Sequence, residues 1–372
     1  MAEAAQRRRF VFSNYDSPSN PFYAGGGAHA IHEVARRLAV RHEVRVVTGA
    51  YPGCRDHERD GVFYEHLGRA NAGGKTGQLW FHFRLAGRAR RGDFDLWCES
   101  LTPPFSTACL QRQTARPVVA LTQVLAGEGM QRKYRLPFAM FERAGLRTYR
   151  HVIALSGHLR DKVAAINPRA RIAVIPNGVP RELIELQPER EERHILFLGR
   201  FDKGQKGIDL LLDAYAGMVT DVPVPLVMAG AGDPKTEAWM RRWMKFLEID
   251  RHVSLPGRVS GTQKHNLLRQ AYFLAMPSRY EASPIAMLEA FCYGMPVVMC
   301  DLPELREVPA TCAVKTRPEW VVDLSREMKR LIRDTPRRHA MGAAAKEWVR
   351  QFDWDRLAAR YEEFFESVLA NG

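Results

Sequence analysis

Residues 194–215 read HILFLGRFDKGQKGIDLLLDAY. The apolar run has the length of a strand and stops at Gly199–Arg200. A polar loop then leads to Lys206–Gly207, where the helix-like IDLLLDAY begins. Strand, loop and helix in that order make half of a crossover unit, the connection that parallel strands require. The same alternation continues downstream through VPLVMAG, HVSLPG, AYFLAMP and MPVVMC. Upstream, RFVFSNY is followed by a glycine-rich turn, AHAIHEVARRLAV and HEVRVVT, and then by FDLWCES, RPVVALTQ, HVIALS and RIAVIPNG. Such a pattern predicts α/β architecture, with parallel sheets covered by helices on both faces.

Between the two series lies NGVPRELIELQPEREERH (177–194), polar, proline-containing and ending in a charge run. A break there predicts two doubly wound domains facing each other across a cleft, 1–180 and 190–350. Residues 352–369, FDWDRLAARYEEFFESVL, read as a long amphipathic helix. Ligands of doubly wound sheets bind outside the carboxyl ends of the strands, so the loops there are searched for chemistry.

Composition narrows the classes. The 372 residues are 46% hydrophobic and 26% charged, as in a soluble globular protein. No apolar stretch reaches membrane-spanning length, and the start MAEAAQRRRFVFSNY lacks a signal peptide's apolar segment, so a cytoplasmic location is expected. The six cysteines show no CxxC spacing and read as buried free thiols. A formal net charge of +13 points to anionic partners. Basic and aromatic residues mingle in 80–91 and 131–151. Each segment reads as a solvated helix face with its apolar side in the core; the alternative is peripheral contact with an anionic membrane at its inner face. Nothing resembles a nucleic-acid reading module or a concentrated basic helix, so no nucleic-acid partner is expected.

Three loops hold the candidate site residues. Gly25, Gly26 and Gly27 stand between the first strand and its helix, where glycine lets backbone amides approach an anion; a tight turn without a ligand is the plain alternative. His29 and His32 lie one turn apart on that helix, but no third ligand accompanies them, and they read as structural or cleft-lining. Arg200 and Lys206, at the end of a strand and beside a helix start, form a natural diphosphate clamp. In YEASPIAMLEAFCYGMPVV (280–298), Ser283–Pro284 reads as the helix start and Gly294 as its stop. Glu281 then sits in the loop before the helix, and Glu289 is the sole charge on a nearly all-apolar helix. Such a carboxylate needs partners: Arg or Lys if its role is structural, ligand hydroxyls if functional.

Glu281 and Glu289, with seven residues between them, resemble the E-x7-E motif of retaining glycosyltransferases of family 4. The likeness extends along nearly the whole chain: the glycine-rich first loop, VIALSGHLRDKV, VIPNGVP, FLGRFDKGQKGIDLLLDA, LVMAGAGDP, MPSRYEASPIAMLEAFCYGMPVV and FDWDRL follow in the family's order. The resemblance implies a GT-B fold of two Rossmann-like domains, with the last helix, 353–370, returning to the first. It also implies a nucleotide diphosphate sugar held mainly by the second domain, with no metal and no further cofactor. Carried over residue by residue, Arg200 and Lys206 would hold the diphosphate, Glu289 the ribose hydroxyls and Glu281 the donor sugar. The amides of Ile285 and Ala286 would face the phosphates, as would those of Gly26 and Gly27. Arg258, in the LPGRV loop, would lie near the base.

The sequence departs from that pattern in three places. Gln123 stands where the family often has a histidine, and it cannot carry a proton at neutral pH. Ala282 replaces the usual glycine after the first glutamate. The interval from Arg200 to Lys206 is one residue longer than in many members. Asp93-Phe94-Asp95 has the DxD spacing of metal-dependent sugar transferases but precedes its strand, so it reads as a loop that caps a strand start. The expected function is transfer of a hexosyl group, with retention, to a hydroxyl of a glycan, lipid-linked or small-molecule acceptor. A nucleotide-sugar epimerase or a phosphorylase on the same scaffold is the enzymatic alternative.

Overall fold

In the computed structural model, which describes residues 6–21, 25–101 and 108–371, the chain divides between two units. The first takes Met1–Asn177 and Trp354–Gly372, the second Gly178–Asp353.

The first unit runs β1 (Arg9–Asn14), α1 (Gly26–Leu38), β2 (Glu43–Gly49), β3 (His57–Arg59), β4 (Val62–Leu67), α2 (Gly73–Ala89) and β5 (Leu96–Leu101). It continues with β6 (Val118–Thr122), α3 (Gly127–Tyr134), α4 (Phe138–Leu146), β7 (His151–Ala154), α5 (Gly157–Ile166) and β8 (Arg171–Val174). The sheet order is β3-β4-β2-β1-β5-β6-β7-β8. All pairings are parallel except β3 with β4. That hairpin was not anticipated. Its turn is Asp60-Gly61, with φ of 53° and 75°, the Asp-Gly pair that tight hairpins favour. Along β1, alternate side chains serve opposite faces. Val11 joins Phe81 and Leu85 of α2 and Leu146 of α4 in one core layer.

The second unit opens with a short helix, α6 (Arg181–Glu185), inside the stretch that the sequence marks as a polar break. Leu183 and Ile184 pack against the core there, which is why part of that stretch is helical. The unit continues with β9 (His194–Leu198), α7 (Lys203–Lys206), α8 (Ile208–Val219), β10 (Leu226–Ala229), α9 (Pro234–Phe246), β11 (Val253–Gly257), α10 (Gly261–Arg269) and β12 (Ala271–Met276). After these come α11 (Ile285–Cys292), β13 (Val297–Cys300), β14 (Ala313–Thr316), α12 (Val321–Arg333) and α13 (Thr335–Trp348). The order β11-β10-β9-β12-β13-β14 is parallel throughout. From β9 the chain moves outward through β10 to β11, then returns to the other side of β9 as β12. The strand order therefore reverses between β9 and β12, the place where doubly wound sheets take ligands.

The last helix, α14 (Trp354–Ala370), belongs to the first unit. Phe365 lies 5.2 Å from Phe10 and 5.9 Å from Phe12, ring centre to ring centre, on the sheet face opposite α2. The ion pair Arg37–Asp355 (2.6 Å) and the hydrogen bond between His42 Nε2 and Glu362 Oε1 (2.9 Å) fasten it to the rest of the unit.

Candidate active site

The loops after β9 and β12 flank the reversal point of the second sheet, and one side-chain contact joins them. Lys206 Nζ donates to Glu281 Oε1 at 2.5 Å, and Ser278 Oγ donates to the same oxygen at 2.7 Å. Glu281 is buried, its side chain 5% exposed, while Lys206 keeps 22%. Arg200 is exposed and donates to Gln205 Oε1 at 2.7 Å. Asp202 caps α7 by accepting from the Gln205 amide, which holds the loop between the two cations in a helical turn. Gly207 follows with φ of 62°, and a Cβ there would stand 2.0 Å from the Pro277 carbonyl oxygen. The two loops touch through backbone at that point, so only glycine fits.

Arg279 completes this assembly and was missed in the sequence. Its guanidinium donates to both Asp209 oxygens at 2.9 Å and to the Lys203 carbonyl, and its amide donates to the Gln205 carbonyl at 2.8 Å. Burial is the largest single influence on the Asp209 carboxyl and pushes it up, but the hydrogen bond and charge of Arg279 and nearby backbone amides together outweigh it and leave the group below its ordinary value. The only signal for this role was an arginine two residues before Glu281; its partner's distance along the chain hid the rest.

Glu289 has found a cation, Lys264 of α10, at 2.6 Å. Its side chain is 13% exposed. Next to it, burial first and the Glu289 charge second push the Tyr293 phenol up to about 12, and Tyr293 Oη pairs with His265 Nδ1 at 2.7 Å. The helix carrying Glu289 starts one residue later than expected. Pro284, not Ser283, occupies the N-cap position, with φ of −73° and ψ of 111°. The first-turn amides of Ile285 and Ala286, like those of any helix start, have no intrahelical acceptor, and proline has no side chain to cap them. Gly294 ends the helix with φ of 62°. Arg258 is exposed just beyond β11, the edge strand, three places from β12 in the sheet order. The contacts that join Arg279, Lys206 and Glu281 do not extend to it.

In the first unit Gly25 is the N-cap of α1, and its amide donates to Asp16 Oδ2 at 2.6 Å. The carboxylate at this helix start is thus the chain's own, a correction to the expectation that Gly25 offers its amide to a bound anion. Gly26 and Gly27 form the first turn. A Cβ on Gly27 would come within 3.2 Å of the Gln123 side chain, so the close approach that glycine permits there is to Gln123. Gln123 in turn borders a small recess with Phe12, Ile31, Leu121, Asn177 and Tyr361. His32 is structural: Nδ1 pairs with Tyr64 Oη at 2.7 Å and Nε2 with Asp60 at 3.0 Å. Asp93 and Asp95 pair with Arg88 (2.7 Å) and Arg9 (3.0 Å), as a capped strand start predicts.

Two family models match the chain in succession. Residues 24–183 match Glycosyltransferase Family 4, and residues 181–348 match Glycosyl transferases group 1. The chain belongs to the family 4 glycosyltransferases. Among curated members, it is 30% identical over 207 residues to a phosphatidyl-myo-inositol mannosyltransferase of Mycobacterium leprae, covering 53% of this chain and 54% of that one. It is 26% identical over 242 residues to the GDP-mannose:cellobiosyl-diphosphopolyprenol alpha-mannosyltransferase of Xanthomonas campestris, covering 62% of each. The chain thus spans about half to three fifths of the length of these relatives. Among solved structures, the sucrose-phosphate synthase of Thermosynechococcus elongatus superposes with a TM-score of 0.82 at 18% identity, covering 98% of this chain and 100% of that one. The Anabaena protein HepE, solved in complex with UDP-glucose, gives 0.74 at 18%, covering 97% and 100%. The fold of this family 4 member is GT-B, with an α/β sheet in each unit, parallel throughout in the second and parallel except for β3 in the first.

Proposed function

We propose that the chain is a retaining, metal-independent hexosyltransferase that takes its sugar from a nucleotide diphosphate donor. The observation that carries this reading is the contact of Lys206 with Glu281. It sets a cation and a buried carboxylate side by side at the reversal point of the second sheet, the two chemistries that a sugar diphosphate presents a need for. Arg200 and Lys206 bind the diphosphate and stabilise the negative charge that grows on it as the glycosidic bond breaks. That charge stabilisation is the task a divalent ion would otherwise perform. Glu281 accepts hydrogen bonds from hydroxyls of the sugar, Glu289 from those of the ribose, and the Ile285 and Ala286 amides face the phosphates. Ser283, Arg258 and the Gly26–Gly27 turn are secondary binding positions in this reading.

Gln123 can donate a hydrogen bond but cannot act as a base, so the leaving phosphate oxygen takes the acceptor proton on the face where the new bond forms. The acceptor is a hydroxyl of a glycan, a lipid-linked saccharide or a small molecule; the mannosyltransferase relatives, named for lipid acceptors, support the lipid-linked form. No cofactor beyond the donor is required.

A thermal-shift screen of UDP, GDP, ADP and dTDP selects the nucleotide, and turnover of its sugars is then measured. Arg200→Ala and Lys206→Ala are each expected to lower kcat by about 10²–10³-fold, with wild-type turnover undiminished in EDTA. Unchanged kcat in both variants overturns the clamp. Interconversion of the donor sugar in the absence of an acceptor identifies an epimerase instead.

A further inference from the structure

Taking Lys206 as a ligand of the donor diphosphate, as proposed above, we infer that Arg279 is a positioning residue for it. Arg279 fixes where the Lys206 ammonium stands without itself touching the donor. The longer interval from Arg200 to Lys206 gives the reason such a residue is needed. In this chain the interval is wound into α7, a single turn of 4 residues. So short a helix has no stability of its own, and its carbonyls lack intrahelical partners. Asp202 caps its start, and the Lys206 amide donates to the Asp202 carbonyl at 2.8 Å. The place of Lys206 therefore follows the shape of the turn.

Arg279 sets that shape from outside. Its amide donates to the Gln205 carbonyl at 2.8 Å, and its Nη1 donates to the Lys203 carbonyl. Nη1 and Nη2 also donate to the two oxygens of Asp209, in the first turn of α8, each at 2.9 Å. Lys206 lies between these anchor points, so one guanidinium braces the chain on both sides of it. Nε donates to Glu319 at 3.1 Å. Four of the five N–H groups are thus engaged by protein, as suits a brace and not a third phosphate ligand. The other lysine of the turn is engaged as well, with Lys203 Nζ 3.9 Å from the ring centre of Trp239 on α9. Because Arg279 and Glu281 share one loop, the brace also fixes Lys206 relative to the carboxylate that it meets.

A double-mutant comparison of turnover in the full chain separates positioning from the alternatives. Arg279→Ala is expected to lower kcat by about 10–10²-fold, the cost of displacing a reacting group's partner by about 1 Å. In the Lys206→Ala background the same substitution is expected to cost less than about twofold, since no ammonium remains to be placed. In the Arg200→Ala background, where Lys206 is still present, it is expected to cost its full factor. A purely structural residue costs the same factor in all three backgrounds, and so does one that binds the phosphates itself. That result overturns the inference, as does wild-type turnover in Arg279→Ala. Asp209→Asn keeps the shape of its side chain, removes the charge, and is expected to repeat the pattern with a loss of about threefold or more. It decides the matter if circular dichroism shows Arg279→Ala unfolded, and equal losses in the three backgrounds overturn the inference there too. Unchanged turnover in Lys206→Ala alone removes the clamp and this inference together. A slow Lys206→Ala that loses as much again from Arg279→Ala as wild type does removes only the inference.

Discussion

Glu289 shows what a single charged residue can tell. A carboxylate on an otherwise apolar helix requires a partner, and the sequence supplied that requirement without the partner's identity. Lys264 meets it at 2.6 Å through one oxygen, Oε1. The other oxygen is then available to hydroxyls that donate, as ribose hydroxyls do. Glu289→Ala is expected to weaken nucleoside diphosphate binding by about tenfold or more, since a hydrogen bond to a charged group contributes about 1.5–3 kcal/mol. Calorimetry with the nucleoside diphosphate measures this, and unaltered affinity would leave Glu289 as the structural partner of Lys264 alone. The pairs that organise the site, Lys206 with Glu281 and Arg279 with Asp209, join residues 75 and 70 positions apart. Residue type made their chemistry legible, but their pairing exists only once the strands lie side by side.

At the scale of elements, strands with dense apolar character were legible because period and length are local properties. β3 and β4 were missed because HER and VFYEHL mix charges into a short edge hairpin, although Asp60-Gly61 carried the turn signal. β14 escaped for a similar reason: AVKT is four residues with a lysine. The start of α11 shifted by one residue because two residues suited to a helix start, Ser283 and Pro284, adjoin each other. α14 was legible in full, and its burial yields a quantitative expectation. Phe365 is wholly buried against Phe10 and Phe12. Phe365→Ala is expected to destabilise the first unit by about 3–5 kcal/mol through lost burial and the cavity left behind. Denaturant melts measure it, and a loss below about 1 kcal/mol would mean that α14 contributes little to the unit's stability.

Across the whole molecule, acid sensitivity follows from its buried imidazoles. Burial is the largest cause holding His32, His66, His151 and His194 below the ordinary value of 6.5. For His32 and His151 nearby arginines add to it. The unfolded chain therefore binds protons near pH 6.5 that the folded chain refuses until lower pH. Stability is fully present above that value and is lost as pH falls from about 7 to 5. The paired carboxylates act in a separate window. Glu33, whose carboxyl is raised by burial but held down overall by Arg36 and Arg37, loses its contribution only below its ordinary 4.5. Melting temperatures between pH 8 and 5 are expected to decline on the acid side of 7. A flat profile down to pH 5 would show that these imidazoles do not govern it.

The path of the chain between the two units also has a consequence for biosynthesis. Residues 354–372 complete the first unit but are made only after all of 178–353. At about 5–20 residues per second, that delay lasts roughly ten to thirty seconds. Throughout it the part of the first sheet beneath α14, with Phe10 and Phe12, lacks that helix. The unit made first is thus the one finished last, and its exposed aromatic face is where a nascent-chain chaperone has something to hold.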